Sequence, residues 1–350
     1  MKNPDNNIIF PAEWHPQSFV QLAYPHADTD WAPMLDEVCA CFDEIIETIL
    51  QYENVALVLD TRHKTQDTRL KTLAVTNNNF QFSIFNFQLN DTWSRDFGAI
   101  TVFKGEKPTV LDFCFNGWGK KFPAELDNQI TRQIYEKDIY RNYKYENHLD
   151  FILEGGSIES DGKGTILTTE RCLLSENRNN LSKSDIEKSL IDFLGAKRVL
   201  WLAHGYLAGD DTDSHIDTLA RFCPDDTVAY VKCNDTNDEH YAELAEMEKE
   251  LQQFRTVEGK PYRLLPLPMA DAVYENGERL PATYANFLII NGAVLVPTYN
   301  SPKDAAAIAR LQTAFPDRKI IGINCLPLIK QHGSLHCVTM QFPSLYIRQN

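Results

Sequence analysis

Nowhere in the 350-residue chain is there an apolar run long enough to span a bilayer, so a helix-spanning membrane protein is not expected. Cations are in short supply: 34 Lys and Arg stand against 49 Asp and Glu, a net charge of −15. That balance would repel nucleic-acid phosphates, whereas it suits a cationic small molecule; surface acidity for solubility is its commoner cause. No Cys-x-x-Cys pair occurs among the eight cysteines. The opening MKNPDNNIIFPAEW lacks the basic-then-apolar pattern of a secretory signal. A cytoplasmic location with reduced thiols is therefore expected.

What is present is an ordinary globular composition, 43% apolar and 24% charged, enough to bury a large core. Cys39 and Cys41 form a Cys-x-Cys on an amphipathic helix and are read as packing. Cys114, Cys172, Cys223, Cys233 and Cys325 lie in or beside apolar strand-like segments and are read the same way. The clearest order in the chain is internal repetition. Residues 151–202 read as strand FILEGGSIES, turn DGKG, strand TILTTERCLL, a helix capped by Ser182 or Ser184, and strand KRVLWLAHG. Residues 97–152, 215–267 and 284–324 repeat that order, the last with Asn291-Gly292 at its hairpin turn. A fifth copy is split: VTMQF near the C-terminus joins FVQLAYP, a helix over 33–51 and VALVLD near the N-terminus.

Five ββαβ units of about 70 residues predict a radial α/β arrangement, a ring closed by the split unit. The competing reading is two ordinary α/β domains, but simple strand–helix alternation would lack the hairpin before each helix. The ring predicts one catalytic domain over residues 1–350. Aligned on their opening strands, the units begin with Asp96, Glu154, His215 and Asp217, Asn286, and Cys337. All five positions are polar, acidic or reactive, and equivalent positions of a ring converge on its axis, where unpaired polar groups are costly. Cysteine with histidine supplies a nucleophile and a proton carrier. Asp96 and Asp217 suit the two edges of a planar guanidinium, and Glu154 suits the orientation of His215.

The stretches NDTWSRDFG, FNGWG, LEGGSIESDGKGTILTTE, DDTDSHIDTLARF, NFLIINGAVLVP and GSLHCVTMQ resemble those of the agmatine deiminase family. More broadly they are similar to Porphyromonas-type peptidylarginine deiminases of the guanidine-modifying superfamily, from about residue 10 to residue 342. The resemblance implies a pentein fold, the five-bladed α/β-propeller. It implies Cys337 as nucleophile, His215 as acid/base, Asp96 and Asp217 as guanidinium carboxylates, and Glu154 completing the inner set. It adds Asp211 as a contact for a distal amine, and Trp93 and Trp118 as pocket walls. His204, His332 and His336 are read as structural, and no metal or cofactor is implied. Family members are commonly oligomers, which makes a homodimer the expected assembly.

The chain departs from the common pattern with HGSLHC for GGGNIHC, IDT for VDN and SRDFG for MRDTG, all outside the reacting groups. The expected chemistry is hydrolysis of agmatine to N-carbamoylputrescine through a thiouronium on Cys337, with peptidyl-arginine the runner-up substrate. Arg95 and Arg221 lie close enough in sequence to the site to be weighed as clamps for a substrate carboxylate. An amidinotransferase would use the same cysteine and histidine. A papain-like hydrolase is disfavoured, because here the nucleophile follows the histidine. A propeller that only binds a partner is the reading from another class.

Overall fold

The computed structural model describes residues 8–63, 70, 80–137 and 142–345. They belong to two compact units. One comprises residues 1–8, 15–155 and 337–350; the other comprises 9–14 and 156–336.

The first unit is α/β and contains two mixed sheets. In one, Thr339–Pro343 pairs antiparallel with Gln17–Ala23, which pairs in parallel with Asn54–Asp60. Helix Leu35–Ile49 makes the crossover that a parallel pair requires, burying Val38, Phe42, Ile45, Ile46 and Ile49. The other sheet holds Ile100–Lys104 antiparallel to Lys107–Cys114, then Lys144–Ile152 in parallel, with helix Ile130–Glu136 between the last two.

The second unit repeats that plan three times. Ile158–Ser160, Thr165–Thr169 and Arg198–Leu202 form one sheet; Ala220–Cys223, Thr227–Lys232 and Arg263–Pro268 form another. Leu288–Ile290, Ala293–Thr298 and Lys319–Asn324 form the third. In each, the first pair is antiparallel and the second parallel. Gly292 takes φ 73° at the Asn-Gly turn, a conformation that glycine adopts without a Cβ clash. The helices are Lys183–Leu194, Tyr241–Gln253 and Asp304–Ala314. No helix among the described residues is long and apolar enough to cross a membrane.

The ββαβ order read from the sequence is thus present in all five places, but the opening strands are shorter than read. FILEGGSIES spans the end of strand Lys144–Ile152, a 3-10 turn at Gly155–Ser157 and only then strand Ile158–Ser160. HIDTLARFC begins with a 3-10 turn at Ile216–Thr218, and YANFLII becomes a strand only at Leu288. The polar residues there bend the chain before the apolar run pairs. The parallel strand Phe82–Phe87, which extends the split unit beyond VALVLD, was not read at all. The end of the helix read through YEKDI lies outside the described residues.

Of the two serines offered as caps, Ser182 is the N-cap, its hydroxyl accepting from the Asp185 amide at 3.2 Å. Ser182→Ala should lower stability by about 1 kcal/mol, read as a reduced thermal midpoint with unchanged secondary structure.

Candidate active site

In the first unit, the helical turn Ser94–Phe97 carries Arg95 and Asp96, both buried. The Arg95 amide donates to the Cys337 carbonyl at 3.1 Å, which joins the Asp96 turn to the backbone of the candidate nucleophile. Cys337 itself is buried, two residues before strand Thr339–Pro343. The FNGWG stretch explains itself here. Gly117, Trp118 and Gly119 are all left-handed, at φ 65°, 54° and 89°, and Asn116 Oδ1 accepts the Gly119 amide at 2.7 Å. A Cβ on Gly117 would lie 2.0 Å from the Phe122 carbonyl oxygen. This tight coil aims the Trp118 indole so that Nε1 donates to Asp96 Oδ2 at 2.8 Å. Trp93 meets Trp118 edge to face, with ring centroids 6.2 Å apart.

Glu154 is fully buried between Leu153, whose amide donates to the Cys114 carbonyl, and Gly155. A Cβ at Gly155 would sit 2.3 Å from the Arg95 carbonyl oxygen and 2.7 Å from Met340 Cε. The segments bearing Asp96, Glu154 and Cys337 therefore meet within this unit.

In the second unit, His215 and Asp217 flank the start of the turn Ile216–Thr218, and both are buried. The approach to His215 is strained: Asp213 and Ser214 are left-handed in succession, at φ 65° and 64°. Asp210 holds that bend by accepting from the amides of Thr212 at 3.1 Å and Ser214 at 2.6 Å. The buried Arg178 side chain completes it, donating to Asp213 Oδ2 at 2.5 Å and to the Thr212 carbonyl at 2.9 Å. Asp211 projects from the same loop with its side chain 43% exposed, 3.9 Å from His332.

Asp217 Oδ2 and His336 Nδ1 are 2.8 Å apart. Burial acts to raise the Asp217 pKa, but the hydrogen bond and charge of His336 outweigh it and hold the carboxyl below its ordinary range. Asn286 joins two backbone segments: Oδ1 accepts the His336 amide at 2.9 Å and Nδ2 donates to the Asp217 carbonyl at 3.3 Å. Of the sequence-predicted residues, this unit brings Asp217 and Asn286 together, and it holds His215 and Asp211 on one loop.

Sequence reasoning missed Glu13 and Glu159. Arg221 is fully buried between them, donating from Nε to Glu159 and from Nη2 to Glu13 at 2.5 Å. Its Nη1 donates to the Phe287 carbonyl at 2.6 Å, and its guanidinium lies 4.7 Å over the Phe287 ring. Burial pushes the Glu159 carboxyl up, and the Arg221 charge opposes that shift. Arg221 is thus committed to protein partners, which answers the question of whether it could clamp a substrate carboxylate. Arg95 likewise donates from Nη1 to Gln341 Oε1 at 2.6 Å. The signal for Glu159 was present: an arginine inside the apolar run LARFC demands a buried carboxylate, and IES offers one. Gly155→Ala should destabilise the protein by about 1–3 kcal/mol, because backbone must move to admit the methyl group, and a melting curve reads the loss.

The family model for Porphyromonas-type peptidyl-arginine deiminases matches residues 9–343. The chain is 30% identical to the agmatine deiminase of Pseudomonas aeruginosa strain LESB58, over 98% of this chain and 99% of that protein. Among solved structures, a cysteine-to-serine variant of C. jejuni agmatine deiminase with substrate bound is 39% identical, with a TM-score of 0.89 and 97% of each chain covered. A provisionally named arginine deiminase from Porphyromonas gingivalis is 51% identical at a TM-score of 0.89, covering 97% of this chain and all of that one.

Proposed function

The chain belongs to the Porphyromonas-type peptidyl-arginine deiminase family, and from that membership we propose that it hydrolyses agmatine to N-carbamoylputrescine and ammonia. Whole-length likeness to agmatine deiminases, one of them solved with substrate, supports this reading. The observation that carries the choice of substrate is the engagement of Arg95 and Arg221 by Gln341, Glu13 and Glu159. Neither is arranged as a clamp for a substrate carboxylate, and agmatine has none. Asp211, partly exposed on the His215 loop, is the proposed contact for its distal ammonium. The five ββαβ sheets support a five-bladed α/β-propeller of the pentein type, acting as one catalytic domain.

In the proposed reaction, Asp96 and Asp217 each bind an edge of the guanidinium through paired charge-assisted hydrogen bonds and fix its plane. The Cys337 thiolate attacks the central carbon, and His215 gives a proton to the departing ammonia. The thiouronium left on Cys337 is then attacked by water, which loses its proton to His215. The C–S bond breaks, releasing the ureido product and regenerating the thiolate. Glu154 is the third catalytic group, and Trp93, Trp118 and Asn286 complete the pocket.

Incubation with agmatine, free arginine or a blocked arginyl peptide, followed by assay of ammonia and ureido product, tests the proposal. Agmatine alone should turn over, and Cys337→Ala should lower the rate by at least 1000-fold, on the order of the loss when a covalent nucleophile is removed. Turnover of the peptide, the substrate class named by the family model, would reassign the substrate. Silence with all three would overturn the reading.

A thiol ringed by carboxylates forms thiolate reluctantly, and a bound cation reverses that bias. Alkylation of Cys337 at neutral pH should therefore be slow in the free protein and faster with a saturating cationic guanidine that does not react. Fast alkylation without ligand would sink this account of activation.

A further inference from the structure

His336 was read from sequence as structural, yet its position says more. Its ring bridges two acidic groups: Nδ1 lies 2.8 Å from Asp217 Oδ2, and Nε2 lies 2.8 Å from Glu13 Oε2. Glu13 Oε2 also accepts from Arg221 Nη2, and that same Nη2 lies 3.0 Å from His336 Nε2. Asp217, held below the ordinary carboxylate range, accepts at the other nitrogen. Nε2 thus stands between an acceptor, Glu13, and a donor, Arg221, while Nδ1–H donates to Asp217 whether or not Nε2 carries a proton.

Its surroundings hold the ring in place. The His336 amide donates to Asn286, and Glu13 Oε1 accepts the Ile289 amide at 2.7 Å. Arg221 is fixed in turn by Glu159, which also accepts the Phe222 amide at 3.1 Å. The result is a buried chain of mutually hydrogen-bonded side chains: Glu159, Arg221, Glu13, His336, Asp217. Every member is at most 9% exposed, so water screens none of these contacts well.

We propose that His336 is a positioning residue for the guanidinium site, a hydrogen-bonding tether that holds the Asp217 carboxylate in the orientation substrate requires. Glu13 and Arg221 hold the tether from behind. The inference deepens the proposed function and rests on the assignment of Asp217 to the substrate's guanidinium. An unconstrained Asp217 would keep its charge but lose the geometry of a paired hydrogen bond, and the bond to His336 orients one oxygen so that the carboxylate plane is set.

The test measures agmatine affinity by calorimetry in the Cys337→Ala background, where binding proceeds without turnover. His336→Asn and Glu13→Gln should each weaken binding tenfold or more, with melting temperatures recorded beside them. Both effects should vanish when Asp217→Asn is also present, because the two residues act through that carboxylate. Merely structural residues would weaken binding equally in either background, and that result overturns the proposal. So does parental affinity in both single variants. Should His336→Asn fail to fold, Glu13→Gln, which keeps an acceptor for the ring, carries the test alone. If Asp217→Asn leaves affinity unchanged, the assignment of Asp217 is wrong and this inference falls with it. If Asp217→Asn weakens binding and the other two do not, only the inference falls.

Discussion

A guanidinium with no exposure to water must be neutralised from within, and Arg221 imposes that demand on the unit that contains it. Glu159 answers from strand Ile158–Ser160 and Glu13 from the segment 9–14, while Nη1 donates to the carbonyls of Phe287 and Ala285 and Nη2 also lies 3.0 Å from His336 Nε2. One cation thus fastens three stretches of chain far apart in sequence to strand Ala220–Cys223. The turn that bears His215 and Asp217 leads directly into that strand, so the cation's coordination also fixes where the turn begins. Hydrophobic burial supplies most of the driving force for folding, but it is tolerant of small shifts. A doubly paired guanidinium is far less so.

The second recurring device is the tight polar turn ahead of each opening strand. Ser94–Phe97, Gly155–Ser157 and Ile216–Thr218 each turn the chain once before pairing starts. Such turns place a buried polar side chain at the end of a sheet while the apolar strand behind it anchors the backbone. The left-handed pair Asp213 and Ser214 is a strained extension of that device, and the left-handed triplet Gly117, Trp118 and Gly119 is a second tight bend, placed after strand Lys107–Cys114. Both are held by side-chain bonds from outside the bend: Asp210 and Arg178 in the first, Asn116 in the second.

The repeating plan was legible because its signals are local. Turn residues such as Asn291-Gly292, the cap at Ser182 and helical spacing at Ile186 and Leu190 all act within a few residues. The candidate groups were legible because polarity at an apolar strand's start is conspicuous. What stayed hidden depends on long-range pairing. Glu13 and Arg221 stand 208 positions apart, and nothing near Glu13 in the sequence marks it as a buried counter-ion. His336 looked ordinary for the same reason, since its partners are 119 and 323 positions away. Strand lengths were overestimated where the reading extended an apolar run back through the polar residues of a turn, as in HIDTLARFC.

The split sheet bears on the order in which the protein matures on the ribosome. Strand Gln17–Ala23 is made long before its antiparallel partner Thr339–Pro343. Until residue 343 has emerged, that strand carries an unsatisfied edge, a hazard for association between nascent chains. The same delay reaches the candidate nucleophile: Cys337 lies two residues before Thr339–Pro343, so its backbone is placed only when that strand docks on Gln17–Ala23.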